Sequence, residues 1–116
     1  MSPPSWVTNK QSWRKNCRRI VARAGDLLDG RLGVIAAAQE LIKLRFLTRT
    51  QDDPDFNIFV LIDSEADHLP TGSERQHWAA DALATKDIEI RQIEEFYRKD
   101  ALDAARNLQR KYGESA

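Results

Sequence analysis

Apolar residues recur at three- and four-residue steps along much of the chain, which is the spacing of an amphipathic α-helix. The first stripe consists of Trp13, Cys17, Ile20, Val21, Ala24 and Leu28, and it ends at Asp29-Gly30. The next segment, RLGVIAAAQELIKLRFL, is rich in strong helix formers and is apolar around much of its circumference. The pattern predicts a helix from Ser12 and a second, more buried helix over residues 31–47, in which Gly33 is the weak position.

The segment DDPDFNIFVLIDSE is compatible with two structures. Residues 56–62 have the aromatic and β-branched side chains of a buried strand. Asp53-Pro54-Asp55, however, is typical of a helix start, with a cap, a proline at the first helical position and an acid in the first turn. Because no other segment resembles a strand partner, and a lone strand leaves its backbone unpaired, we predict a helix over residues 54–67.

The remaining segments predict a turn, a short helix and a long last helix. Leu69-Pro70-Thr71-Gly72 is typical of a turn with proline at its second position. Ser73 followed by Gln76 matches a capping box. From Lys86 the apolar positions keep the helical period, and they are Ile90, Ile93, Tyr97, Ala101, Ala104, Leu108 and Tyr112, with Gly113 as a stop signal.

These elements predict an all-α protein. We expect a compact bundle of about four helices with a long C-terminal helix. Residues 1–11 are predicted to be an irregular arm, and residues 12–113 a single all-α domain.

Composition narrows the class of protein. A chain of 116 residues, 41% of them hydrophobic and 31% charged, is long enough for one core. The single cysteine, Cys17, cannot form an internal disulfide, and its place on the apolar stripe is typical of an inert buried thiol. The start of the chain lacks the apolar region of a signal peptide, and no run approaches the roughly 20 apolar residues that span a bilayer. We therefore expect a cytoplasmic protein without a membrane partner.

Charge is balanced over the whole chain but uneven along it. Eighteen basic residues offset eighteen acidic ones, which makes a nucleic-acid partner unfavourable. Residues 1–31 hold seven basic and two acidic residues, a net charge of +5. Residues 50–103 hold fourteen acidic and five basic residues, a net charge of −9.

The basic residues of the first helix are predicted to lie opposite its apolar stripe, and they are Arg14, Lys15, Arg18, Arg19 and Arg23. Of these, Arg14, Arg18 and Arg19 are candidates for weak polyanion binding. The alternative is a solvated face, or a face that complements the acidic region of the same chain or of a second copy.

Both histidines lie in one polar stretch, IDSEADHLPTGSERQHW, in which E-x-x-H occurs twice. Residues three apart on a helix share a face, so the candidate metal ligands are Glu65, His68, Glu74 and His77. Known dimetal bundles take each motif from the middle of a different helix, whereas here one motif lies at a predicted helix end and the other at a helix start. A structural corner between two helices, fixed by an ion pair of Arg75 with Asp63 or Asp67, is therefore the favoured interpretation. The candidate functional corner consists of Asp63, Glu65, Asp67, His68, Arg75, His77 and Trp78.

The stretch FVLIDSEADHLPTGSERQHWAADALATKDIEI resembles a small family of uncharacterised bacterial proteins of similar length. The pattern that carries the resemblance is I-D-S-E-x-D-x-L-P-x-G, then an Arg, a Trp, A-L-A and D-x-E-I. The resemblance implies a bacterial protein and brings no catalytic residue with it. It selects as positions to test Asp63, Glu65, Asp67, Arg75 and Trp78.

The chain contains no glycine-rich phosphate loop and no convincing set of catalytic residues. This favours a non-enzymatic protein–protein interaction or accessory module without a cofactor, which binds a protein partner or forms a homo-oligomer. One alternative is a small metal- or ligand-binding protein that uses the corner at residues 63–77. The other is a weak polyanion-binding protein that uses the basic first helix.

Overall fold

The chain is built from α-helices joined by short loops, as a computed structural model of residues 3–114 shows. The four helices are α1 (Lys10–Leu28), α2 (Val34–Thr48), α3 (Asn57–Ala66) and α4 (Ala80–Gly113). Two 3₁₀ helices, Pro54–Phe56 and Ser73–His77, precede α3 and α4. Residues 3–114 contain no strand, so the predicted all-α class and the long last helix are confirmed.

Local chemistry sets both ends of α1. The side chain of Asn9 accepts a hydrogen bond from the Ser12 N–H at 2.9 Å, so the helix begins at Lys10, two residues before the predicted start. After the helix, Gly30 has a φ of +78°, which is in the left-handed region that favours glycine. The buried face consists of Trp13, Cys17, Ile20, Ala24 and Leu27. The predicted stripe is therefore confirmed for Trp13, Cys17, Ile20 and Ala24, whereas Val21 and Leu28 are partly buried and Leu27 is the last buried residue.

α2 begins at Val34 instead of residue 31, and Gly33 is its N-cap. Glycine has no side chain to cap the helix, and the carboxylate of Glu94 on α4 accepts the Val34 N–H at 2.6 Å instead. A Cβ on Gly33 would lie 2.9 Å from a Glu94 carboxylate oxygen. The glycine that weakened the sequence prediction therefore marks the start of α2 and leaves room for a cap from another helix.

The ambiguous segment before residue 67 is helical, as predicted. Asp53 accepts a hydrogen bond from the Asp55 N–H at 3.0 Å, and Pro54 starts the first turn. That turn is a 3₁₀ helix, and the α-helical part, α3, starts at Asn57 and ends at Ala66. Asp53 also accepts hydrogen bonds from Lys111 Nζ at 2.7 Å and the Tyr112 hydroxyl at 2.8 Å, which fasten the start of α3 to the end of α4.

α4 begins at Ala80, six residues before the predicted start at Lys86, and includes Gly113 as its last residue. A helix of 34 residues is about 51 Å long at about 1.5 Å per residue. The molecule measures 51 × 27 × 22 Å, so α4 runs along its whole length. No apolar stripe in the sequence marks residues 80–85, so the pattern placed the start of this helix too late.

The helices pack in a ring. α1 contacts α2 and α4, and α3 contacts the same two helices, so α1 and α3 lie diagonally opposite each other. α4 runs antiparallel to α3, since Asn107 bonds to Asp55 while Tyr97 bonds to Glu65. The segment before α1 also lies on the bundle, where Val7 packs against the core and the Trp6 ring lies under the Arg49 guanidinium at 4.9 Å. None of the helices in residues 3–114 has the length and apolar character needed to cross a membrane.

Candidate functional site

The loop over residues 67–79 packs on the N-terminal half of α4, which we define as residues 80–96. Arg75 donates two hydrogen bonds to the Asp87 carboxylate, at 2.8 and 3.1 Å, and one to the Pro70 carbonyl at 2.9 Å. The guanidinium lowers the pKa of Asp87, and the same pair raises the pKa of Arg75. The prediction that Arg75 binds Asp63 or Asp67 is therefore wrong, because its partner comes from α4, against which the loop packs.

The predicted capping box is also wrong. Gly72, not Ser73, precedes the second 3₁₀ helix, and no side chain of residue 72 or 73 caps it. Glu74 reaches back instead, and one of its carboxylate oxygens accepts the N–H groups of Thr71 and Gly72 at 3.1 Å each. The pKa of Glu74 is lowered because its carboxylate accepts backbone hydrogen bonds from Glu74 itself, Gly72 and Thr71.

The structure separates the four candidate metal ligands. Glu65 accepts a hydrogen bond from the Tyr97 hydroxyl at 2.6 Å, and His68 Nε2 lies 3.2 Å from a Glu89 carboxylate oxygen. Glu74 caps its own loop, as described above, and His77 is exposed in the 3₁₀ helix. Across residues 3–114, no three His, Cys, Asp or Glu side chains are grouped so that they could hold a metal ion. The double E-x-x-H motif therefore forms no shared site, and its residues connect separately to α4 and to the loop.

The other residues of the predicted corner lie at its edges. Asp63 is half-buried on α3, and Asp67 is exposed just after that helix. Neither carboxylate forms a side-chain hydrogen bond or an ion pair within residues 3–114. Trp78 is 38% exposed, in contrast with Trp13, which is buried in the core. Cys17 is fully buried, and burial raises the pKa of its thiol to about 11, in agreement with an inert thiol.

A groove of about 430 Å³ lies between the end of α3 and the N-terminal half of α4. We call it the α3/α4 groove, and its lining consists of Glu65, Glu89, Gln92, Ile93, Phe96 and Tyr97. Phe96 is 78% exposed, more than any other large apolar residue of the described chain. Its ring stands edge-on to the Tyr97 ring, with 4.8 Å between the centroids. The groove therefore combines an exposed aromatic ring with a held tyrosine and two glutamates.

Hydrogen bonds fix the polar side of the α3/α4 groove. The bond to Glu65 raises the pKa of Tyr97, because losing the hydroxyl proton would place two negative charges side by side. The contact with His68 lowers the pKa of Glu89, and Lys86 Nζ, at 3.4 Å from the other carboxylate oxygen, lowers it further. The Glu89 carboxylate therefore stays charged near neutral pH, in the same groove as Phe96.

Most basic residues of α1 have no side-chain partner in the described part of the chain. Arg14, Lys15, Arg18 and Arg19 are exposed, and none of them forms an ion pair or a side-chain hydrogen bond within residues 3–114. Arg23 differs, because it is half-buried and pairs with Asp26 at 2.9 Å. The acidic region of the same molecule therefore does not neutralise the exposed part of this face.

Sequence reasoning gave no role to Asp87, Glu89, Glu94 and Phe96, all of which lie on α4, although the D-x-E-I pattern of the resemblance includes Asp87 and Glu89. The pattern of this helix contained one signal for Phe96, since it falls outside the stripe of Ile90, Ile93 and Tyr97. Aromatic residues are enriched at protein interfaces, so an aromatic residue on the polar face of a helix is a candidate contact residue. The charged residues carry no such signal, because their partners come from distant parts of the chain.

No family model matches this chain, and no curated protein or solved structure matches it either. The resemblance to uncharacterised bacterial proteins therefore stays a prediction, and the inferences about function below rest on the geometry of this molecule.

Proposed function

We propose that this chain is a non-enzymatic protein–protein interaction module that binds its partner at the α3/α4 groove. The observation that carries the proposal is the exposure of Phe96 at the rim of that groove. A phenylalanine left in water forgoes the favourable burial of its ring, and large aromatic residues of this kind are frequent anchors of protein interfaces.

The contacts made by the ring and the hydroxyl of Tyr97 make the groove suitable as a preformed site. Tyr97 packs edge-on against the Phe96 ring, and its own hydroxyl is held by Glu65 on the neighbouring helix. A rigid aromatic residue loses little conformational entropy on binding, so more of its burial contributes to affinity. The groove thus has a fixed apolar anchor on a regular helix.

The glutamates of the groove define the chemistry of the partner. Glu65 and Glu89 lie beside Phe96 and Ile93, so the surface presents apolar area and negative charge together. A partner segment with apolar and basic side chains complements both properties. An arginine of the partner is especially suitable, because its guanidinium can stack on an aromatic face while it pairs with a carboxylate.

Site-specific photocrosslinking in cells tests the proposal. A photoreactive amino acid is introduced in place of Gln92, which lines the groove, and the crosslinked products are identified by mass spectrometry. We expect products that disappear when Phe96→Ser is added to the same chain. Phe46→Ser is the matched control, because Phe46 is also an exposed phenylalanine (59%) but lies at the end of α2. Products that are insensitive to Phe96→Ser, or that are lost equally with Phe46→Ser, would contradict an interaction site in the groove.

A further inference from the structure

The molecule carries a second surface that combines apolar and basic side chains, which are the properties that complement the α3/α4 groove. On α1 a depression of about 310 Å³ is lined by Asn9, Gln11, Ser12, Lys15 and Arg18. A smaller depression beside it shares Asn9 and Ser12 and includes the exposed side chains of Trp6 and Leu47. We define the basic surface as Arg14, Lys15, Arg18 and Arg19 together with Trp6 and Leu47. Basic and apolar side chains therefore lie side by side on it.

One molecule cannot bring its own two surfaces together. α1 and α3 lie diagonally opposite each other in the bundle. The two surfaces also lie at different positions along the axis of α4. The groove includes Ile93, whereas Val21 of α1 contacts Gln109, which is sixteen residues further along α4. Sixteen residues of helix correspond to about 24 Å at about 1.5 Å per residue. The basic side chains of this surface lie still further from the groove. Cys17 acts electrostatically on Tyr112 while Val21 bonds to Gln109, so α1 and α4 run antiparallel, and these basic residues precede Val21.

The charges of the two surfaces are complementary. Residues 1–31 have a net charge of +5 and residues 50–103 a net charge of −9. Near the groove, several carboxylates have no side-chain partner within the described residues, namely Asp63 and Asp67 on the α3 side and Glu95 and Asp100 on α4. The whole chain has a formal net charge of zero, so two copies do not repel each other through their total charge. The unpaired negative charge around the groove thus matches the unpaired positive charge of the basic surface.

We propose that the partner in the α3/α4 groove is a second copy of this chain, which docks through its basic surface. This inference rests on the proposed function and names its partner. In such a contact, Arg18 or Arg19 of one molecule lies near Phe96, Glu65 and Glu89 of the next. Because each molecule contributes a different surface, the contact is heterologous, and two molecules joined in this way still have one free surface each. The copies therefore assemble head to tail into chains of more than two molecules.

Two variants that each block one surface provide the test. Phe96→Ser with Glu89→Lys alters only the groove, and Arg18→Glu with Arg19→Glu alters only the basic surface. All four positions are outside the buried core, and circular dichroism with thermal unfolding establishes that both variants fold. Sedimentation velocity then measures the assembly of the wild type, of each variant, and of the two variants mixed.

The head-to-tail contact predicts a particular set of results. The wild type forms species that grow beyond the dimer as its concentration rises, and high salt shortens them because the contact is partly ionic. Each blocked variant alone is a monomer. The equimolar mixture forms a one-to-one dimer and nothing larger, because only one intact groove and one intact basic surface remain. Phe46→Ser assembles like the wild type.

Several results would overturn the inference. These are a wild type that stays monomeric at every concentration, a closed dimer that only the groove variant disrupts, and a mixture of blocked variants that does not dimerise. A monomeric wild type that binds a DNA duplex in a salt-sensitive way, and loses that binding with Arg18→Glu and Arg19→Glu, would assign the basic surface to phosphate groups instead. If the wild type is monomeric while the Gln92 crosslinks still depend on Phe96, only the second copy is excluded. If the crosslinks are independent of Phe96, the proposed function itself fails.

Discussion

The two halves of α4 belong to one continuous helix but have opposite environments. In the C-terminal half, residues 97–113, the buried residues are Tyr97, Ala101, Ala104, Ala105, Leu108 and Tyr112. In the N-terminal half, residues 80–96, no residue is buried. Three alanines in the C-terminal half let neighbouring helices approach closely. The N-terminal half is held by polar contacts to Arg75, His68 and the N–H of Val34.

This difference separates the part of α4 that stabilises the fold from the part that we propose binds a partner. Burial of apolar side chains supplies most of the folding free energy. Within α4, the buried apolar side chains all lie in the C-terminal half. The N-terminal half retains exposed apolar side chains, Ile88 and Phe96, which contribute little to folding and are accessible to a partner. Regions with few buried contacts are also those that open most easily, so the proposed binding half is the less stable one.

The largest test of the comparison is truncation of one apolar side chain in each half. Leu108 is fully buried, and we expect Leu108→Ala to lower the free energy of unfolding by about 2–5 kcal/mol, because it removes buried methyl groups and leaves a cavity. Ile88 is 49% exposed, and we expect Ile88→Ala to change the free energy of unfolding by less than about 0.5 kcal/mol. Urea denaturation monitored by circular dichroism measures both. Similar losses for the two variants would contradict the division of α4.

A smaller effect is expected at the contact that fastens the C-terminal half to α3. The Tyr112 hydroxyl is buried and donates to Asp53, so Tyr112→Phe leaves a carboxylate with one donor fewer. We expect a loss of about 2 kcal/mol, in the range of hydrogen bonds to charged groups, measured by urea denaturation near neutral pH. The core also buries Phe59 completely, so a phenylalanine ring without a hydroxyl is acceptable in it. If Tyr112→Phe leaves the stability unchanged, the packing of the ring, and not its hydrogen bond to Asp53, holds this end of α4.

The same contact predicts a pH dependence. Burial alone would raise the pKa of Asp53, but hydrogen bonds from Lys111, the Asp55 N–H and Tyr112 lower it below its ordinary value of 3.8. The stabilisation by the charged carboxylate is therefore present above pH 3.8 and is lost as the pH falls through the lower value of the folded state. Asp53→Asn should be less stable than the wild type above pH 3.8, and the difference should shrink at lower pH. A difference that stays constant from neutral to acidic pH would exclude this coupling.

The smallest of these effects concerns the N-terminal half of α4. Glu94→Ala removes the acceptor of the Val34 N–H, and we expect it to lower the free energy of unfolding by about 1 kcal/mol, as for the loss of a helix cap. Gly33→Ala should produce a loss through the same contact, because the added Cβ displaces the Glu94 carboxylate. Urea denaturation of the single and double variants forms a cycle, in which the double variant should lose less than the sum of the two. Additive losses would mean that Gly33 and Glu94 act independently.

The sequence predicted the elements of the fold better than their ends. Three- and four-residue spacing predicted α1 and the part of α4 from Lys86 onwards, since that spacing depends only on the period of the helix. A high content of helix-forming, apolar residues predicted α2. Asp53 and Pro54 correctly indicated a helical start before α3. The starts of α2 and α4 were misplaced by three and six residues, because Glu94 caps α2 from another helix and the first turns of α4 lack an apolar stripe.

The candidate site was predicted less well than the fold. The sequence alone gave the all-α class, the buried thiol of Cys17 and the basic face of α1, because each follows from residues that are close together in the chain. Three features are visible only in the folded protein: Arg75 pairs with Asp87, the two E-x-x-H motifs are separated, and Phe96 lies in an open groove. The pairing and the exposure of a side chain depend on which distant segments pack against it. Helical periodicity predicts only which face of a helix is buried against the core.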